Sequence, residues 1–205
     1  MLRRRRPPLV AWRDQATGAM RGALGRWSAP WRRLRRRAVM ARMLPGDVVL
    51  SSPRIARLSF TALLYRLLLR SQYVHAMLYL GDGRVLHTTA RHGVTIDPLP
   101  GKLFDRARYR IRRVPGLERD QREQVVAGAR ALLDHDLDHL GLVTNIPARW
   151  FGLPHPLLQA ERNRLWCSQL IQKAYADVGV SLVPPERSGT VTSEDLARTP
   201  VMIEV

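Results

Sequence analysis

A chain of 205 residues with 45% apolar side chains is long enough for one domain with a real core and a terminal extension. Its 34 basic residues against 17 acidic leave a formal charge of +17, which points to an anionic surface and says nothing of fold. The single cysteine, Cys167, excludes an internal disulfide and any multi-cysteine metal site.

Residues 1–43 are Arg-rich and nearly free of acid, with Trp12, Trp27 and Trp31 among the charges. The run from Trp31 to Met40 reads as a basic, mildly amphipathic helix. Two readings of this arm stay open. One is a membrane-surface or nucleic-acid anchor. The other is a disordered, solvated tail. Arg3 to Arg6 are followed only by Leu9 to Trp12 before Arg13, short of the ~7–15 apolar residues of a signal h-region. The longest apolar stretch, Leu58 to Leu69, is broken by Arg66 and falls short of the ~20 residues of a span. The expected location is cytoplasmic, with or without peripheral attachment to a membrane.

The turn Leu44-Pro45-Gly46-Asp47 opens the domain and precedes a short strand, Val48 to Leu50. Residues 54–70 read as a helix or helical loop. Its stripe of Ile55, Leu58, Phe60, Leu63, Leu64, Leu67 and Leu68 either faces the core or lines an acyl-chain pocket. A hairpin follows: His75 to Leu80, the turn Gly81-Asp82-Gly83, and Arg84 to Thr89. If the turn has three residues, Met77 faces His87. His75 and His87 then share a face as diagonal neighbours, roughly 7–8 Å apart at the backbone. A two-residue turn would put them on opposite faces.

Gly93 to Pro98 and Arg108 to Val114 are further strands. Residues 118–134 repeat Val125, Val126, Ala129, Leu132 and Leu133 at helical spacing. Residues 135–164 are irregular and rich in Pro and His. Trp166 to Val178 is a second helix, ended by Gly179. Thr192 or Ser193 caps a short helix, and Val201 to Val205 is a final β run. The fold class is α+β.

Cys167 stands in the first turn of its helix. A helix N-terminus and a nearby imidazolium both favour a thiolate, lowering the pKa from ~8.5. Unpaired N–H groups there also suit a developing oxyanion. His75 and His87 are the candidate base and its partner. By position alone, a Cys on an apolar helix face is more often a small core residue than a nucleophile. Asp134-His135-Asp136-Leu137-Asp138-His139 spaces two His by four, yet lacks the Glu of a zinc-protease helix. It reads as a polar helix C-terminus. No metal and no cofactor are expected. His92 and His155 read as loop residues.

The run Tyr73 to His87 resembles the strand–turn–strand signature of circularly permuted NlpC/P60 proteins. These include the lecithin-retinol acyltransferase and H-rev107-like proteins and the YiiX/YaeF/YebB-like hydrolases. Pro45 to Leu50 resembles the opening strand, Trp166 to Ile171 the nucleophile helix, and Val191 to Leu196 a C-terminal element of the YiiX-like branch. The likeness spans residues 44 to 205, and the order His, His, Cys is that of the permuted form. It implies a permuted papain-like fold: an antiparallel sheet packed against helices that include the nucleophile helix. It implies Cys167 as nucleophile, His75 as base and His87 as the residue that orients it. Tyr73 and Ser168 would serve the oxyanion or the substrate. Gln169 departs from the Glu that is frequent in this branch.

The expected function is acyl transfer or hydrolysis at an amide or ester bond through a thioester. The substrate is an acyl or peptide compound, with a lipidic or membrane-associated one favoured. An anionic membrane is the partner expected of the N-terminus, ahead of nucleic acid. The alternative is a non-enzymatic module of the same fold that binds membrane or nucleic acid through that arm.

Overall fold

Short alternating apolar runs separated by Gly-rich turns build antiparallel strands, and this chain assembles six of them into one sheet. The computed structural model describes residues 34, 36–52, 60–100, 108–158 and 164–205. The chain divides into two units, Met1–Ala41 and Arg42–Val205. Of the first unit, residues 34 and 36–41 are described, and they are helical. Trp12, Trp27 and Trp31 lie outside the described residues, as do Ile55 and Leu58.

In the second unit the elements run β1 (Val48–Ser52), α1 (Phe60–Leu68), β2 (His75–Gly81), β3 (Arg84–Thr89), β4 (Gly93–Pro98) and β5 (Arg108–Arg113). Then come α2 (Arg119–Arg130), β6 (Asp136–Leu137), α3 (His139–Trp150), β7 (Arg164–Leu165) and α4 (Cys167–Ala176). A 3-10 turn (Pro185–Thr190), α5 (Ser193–Arg198) and β8 (Ile203–Glu204) close the chain. The sheet order is β4-β3-β2-β1-β5-β8, and every pairing in it is antiparallel. The strands β6 and β7 form a separate parallel pair.

One face of the sheet carries Val48, Leu50, Ala76, Leu78 and Leu86, all fully buried. Val125 and Ala129 of α2 and Leu170, Ile171, Ala174 and Tyr175 of α4 join them in one core. Burial of each such Leu or Ile contributes roughly 1.5–3 kcal/mol. This packing presses the N-terminus of α4 against the start of β2. The opening turn is locked by Asp47, whose side chain is fully buried and bridged twice at 2.7 Å by Arg113.

The hairpin differs from expectation in an instructive way. Leu78 pairs with Leu86 and Tyr79 with Val85, the register expected. The turn, however, has two residues, Asp82 and Gly83, both with positive φ. A two-residue turn of this kind matches strand twist. A bulge between Tyr79 and Gly81 supplies the extra residue that keeps the register.

Two other expectations are corrected. The irregular stretch 135–164 contains the helix α3. Asp138 caps it by accepting the Gly141 N–H at 2.7 Å, and Pro147 lies inside it. The run 134–139 is thus not a helix end, since α2 stops at Arg130; it passes through β6 to the cap and first residue of α3. Among the described residues no group of three His, Cys, Asp or Glu could hold a metal ion. The stripe on α1 is also not simply core-facing, for Phe60 is 76% and Leu67 64% exposed.

Candidate active site

The site forms where β2, β3 and β4 meet the N-terminus of α4. Strand register puts His75, His87 and Asp97 on one sheet face as successive diagonal neighbours. Their side chains join in a line. His75 Nε2 lies 2.8 Å from His87 Nδ1, and His87 Nε2 lies 3.0 Å from an Asp97 carboxylate oxygen. An ionised Asp97 accepts only, so His87 carries its proton on Nε2 and offers Nδ1 as acceptor. His75 then donates from Nε2 and keeps a free lone pair on Nδ1. The line is polar in one direction and ends in a basic nitrogen.

Burial pulls the His75 pKa down from 6.5 to about 4, so the ring is neutral at neutral pH. His87 is shifted down by its own burial and by the charge of His75, against the pull of Asp97. Asp97 is half-exposed, which weakens that pull.

Cys167 is the first residue of α4, behind the extended N-cap Trp166. The indole Nε1 donates to the Val191 carbonyl at 2.8 Å, and Ser168 Oγ donates to the same oxygen at 2.9 Å. Those two bonds pin the helix start. The thiol is buried, and Sγ lies 3.9 Å from Ser193 Oγ. Burial pushes its pKa up, opposed by the N–H groups of Ala76, Ser168 and Cys167 and by the Ser193 hydroxyl. The β2–β3 ladder stops at Leu78 and Leu86, so it does not extend to Ala76. This corrects the expectation of a lowered thiol pKa. Desolvation outweighs the helix N-terminus, and the neighbouring imidazole is neutral.

Cys167 and His75 line one cavity of about 120 Å³, together with Tyr65, Thr88, Leu142, Trp166, Ser168 and Ser193. No hydrogen bond joins the thiol to His75, whose Nε2 is held by His87. Tyr65 roofs the cavity from α1. Its hydroxyl donates to the Leu142 carbonyl at 2.8 Å and accepts from Asn145 at 3.1 Å, and burial raises its pKa strongly.

Ser168 borders the cavity as expected, but its hydroxyl is engaged by Val191, which leaves its N–H as the useful group. Tyr73 does not border it. It is buried in the core, with its ring 5.7 Å from the Arg110 guanidinium. Gln169 has a buried side-chain oxygen with no partner. Sequence reasoning missed Asp97 and Ser193. Asp97 was legible in principle, as the residue two beyond Thr95, which pairs with His87. Ser193 left no such signal, because only the packing of α5 brings it to the sulfur.

Neither a family model nor a curated protein sequence matches the chain. Among solved structures, the crystal structure of the metalloprotein yiiX from Escherichia coli O157:H7 is similar. Its TM-score is 0.57 at 16% identity, covering 78% of this chain and 95% of that one. At that identity the likeness speaks for fold. The chain is an α+β protein with the YiiX-like fold that its sequence resembles.

Proposed function

We propose that the protein is a thiol-dependent acyl hydrolase or acyltransferase. The observation that carries this reading is a buried helix-start thiol sharing a cavity with His75, whose far nitrogen is tied through His87 to Asp97. His75 Nδ1 takes the thiol proton as Sγ attacks a carbonyl carbon. The tetrahedral oxyanion draws on the N–H groups of Ala76, Cys167 and Ser168. His75 then gives the proton to the departing amine or alcohol, leaving a thioester on Cys167. Water or an acceptor hydroxyl loses a proton to His75, attacks the thioester and restores the thiol. His87 and Asp97 hold the ring and its tautomer throughout. A neutral base beside a protonated thiol fits this general-base route better than a resting thiolate–imidazolium pair.

The yiiX structure is titled a metalloprotein. The residues here do not suit a metal. The facing ring nitrogens of His75 and His87 share a hydrogen bond at 2.8 Å, closer than the roughly 3.3 Å between two ligands at ~2.0–2.1 Å on a tetrahedral ion, and among the described residues no group of three His, Cys, Asp or Glu could hold one. No step is therefore routed through one.

The test is intact mass after incubation with a long-chain p-nitrophenyl ester. A single acyl adduct, lost in Cys167→Ala and released by hydroxylamine, supports the reading. Ester turnover that survives in Cys167→Ala sinks it. Faster reaction with short polar peptides than with acyl esters would remove the lipidic substrate alone. A second reading, an inert module of the same fold, is favoured by the buried thiol with no bond to His75. A thiol inert to alkylation at every pH would establish it.

A further inference from the structure

The cavity at Cys167 is too small for a whole substrate. Its volume of about 120 Å³ is well under the roughly 300–1,000 Å³ of typical ligand pockets. Tyr65 of α1 and Leu142 of α3 both line it. Those two elements are bound together there. Tyr65 Oη donates to the Leu142 carbonyl, and Trp150 Nε1 donates to the Leu68 carbonyl at 3.2 Å.

Their outer surface is unusual. Of the fourteen large apolar side chains exposed among the described residues, ten belong to residues 60–68 and 140–158. Leu67, Trp150 and Phe151 are 64%, 60% and 74% exposed. The loop after α3 closes onto the same side, since Thr144 Oγ1 donates to the Leu158 carbonyl at 2.8 Å. Scattered exposed Leu needs no account, but ten exposed apolar side chains on two bonded helices and the loop that follows do.

Charge narrows the occupant. Residues 60–81 and 139–158 contain no Asp or Glu, while Arg66, Arg70 and Arg149 are present. Beside the patch opens a groove of about 690 Å³ whose lining includes Leu68, Leu69 and Trp150 together with Arg70, Arg187 and Arg198. Its lining holds four arginines against two carboxylates, Glu194 and Asp195. Arg149 and Arg187 share Asp195, and Arg198 takes Glu194. Arg70 has no carboxylate partner among the described residues, so the groove keeps a positive excess beside apolar side chains suited to insertion.

We propose that the α1–α3 face is a docking surface for a bilayer containing anionic phospholipid, with the arginine-lined groove taking a headgroup. It belongs to the folded domain and is separate from the Arg-rich arm. It does not depend on the thiol chemistry.

The test is co-sedimentation of the full chain with phosphatidylcholine vesicles, with and without phosphatidylglycerol, at low and high salt. The comparison is between wild type, Leu67→Gln/Phe151→Gln, Val143→Phe and Cys167→Ala. The two Gln changes alter exposed side chains and leave every charge in place. Each lost apolar insertion weakens partitioning by roughly tenfold. The expected result is binding that requires phosphatidylglycerol, resists salt in wild type and Cys167→Ala, strengthens in Val143→Phe and falls more than tenfold in the double variant. Equal binding by wild type and double variant, lost in high salt, would overturn the proposal in favour of the arm. So would a change in oligomeric mass of the double variant with vesicle binding intact, which would make the patch a contact between copies. Failure of the thiol reading would show instead as absent acylation with this binding unchanged.

Discussion

Protonating His75 should cost the protein stability, and the size of that cost follows from its burial. The ring has a folded pKa of about 4 against 6.5 for the free side chain. Above about pH 6.5 it is neutral in both states and contributes nothing. Between the two values the unfolded chain binds a proton that the folded one refuses, so stability falls as pH falls. A gap of 2.5 units at 1.36 kcal/mol each gives about 3 kcal/mol, trimmed to about 2–3 by the ring's partial access to solvent. For a domain of this size that is a Tm loss of roughly 5–10 °C. The perturbation is His75→Gln, which keeps a hydrogen-bonding side chain and removes the titration. Urea unfolding at about pH 7 and about pH 4.5 measures it. Wild type should lose about 2 kcal/mol more than the variant over that interval, which stops short of the folded pKa, after any constant offset is subtracted. His87 is hydrogen-bonded to His75 and shifted by it, so the difference reports His75 together with its effect on His87. Parallel pH–stability curves would mean the folded ring titrates near its free value, and the account of a pKa depressed by burial would fall.

Iodoacetamide labelling of Cys167 should rise with pH along a curve displaced above that of an ordinary thiol, because burial raises its pKa. A midpoint near pH 6 would refute that account. Asp97→Asn should lower acyl-transfer turnover by about fivefold to tenfold and leave KM nearly unchanged, the modest size reflecting a half-exposed carboxylate that acts through His87. A loss as deep as that of His75→Ala would make Asp97 more than a positioning residue. Arg113→Ala should destabilise the domain by about 3–5 kcal/mol, since it strands the fully buried Asp47 carboxylate. Arg113→Ala/Asp47→Asn should recover much of that loss in the same thermal melts.

The likeness to yiiX and the likeness read from the sequence agree on architecture while sharing little residue identity. The agreement rests on pieces of local chemistry. Val48 to Ser52, the hairpin of His75 and His87, and the helix opened by Cys167 each carry their own signal. A strand alternates, a Gly-flanked Asp turns, and a helix ends at glycine. His75 and His87 could be placed on one face because a strand's period of two makes the face a matter of counting. The bulge at Gly81 shows how narrow that argument was, since the shorter turn alone would have separated them.

Other features were hidden for physical reasons. The helix His139–Trp150 was obscured by Pro147, whose cost is absorbed by packing of Ile146 and Ala148 into the interior. The apolar stripe of α1 reads identically whether it faces a core or solvent, and only its neighbours decide. The protonation state of Cys167 was misjudged because position specifies the helix N-terminus and says nothing about water.

By itself, then, the sequence determined the strands of the six-stranded sheet, the hairpin, the helix that begins at Cys167 and the excess of positive charge, because each depends on residues close together in the chain. Tertiary structure alone decided that Asp97 completes the line through His87 to His75, that Ser193 rather than an imidazole is hydrogen-bonded to the sulfur, and that the thiol is buried. Desolvation and convergence are sums over neighbours drawn from distant segments, and no local pattern encodes such a sum.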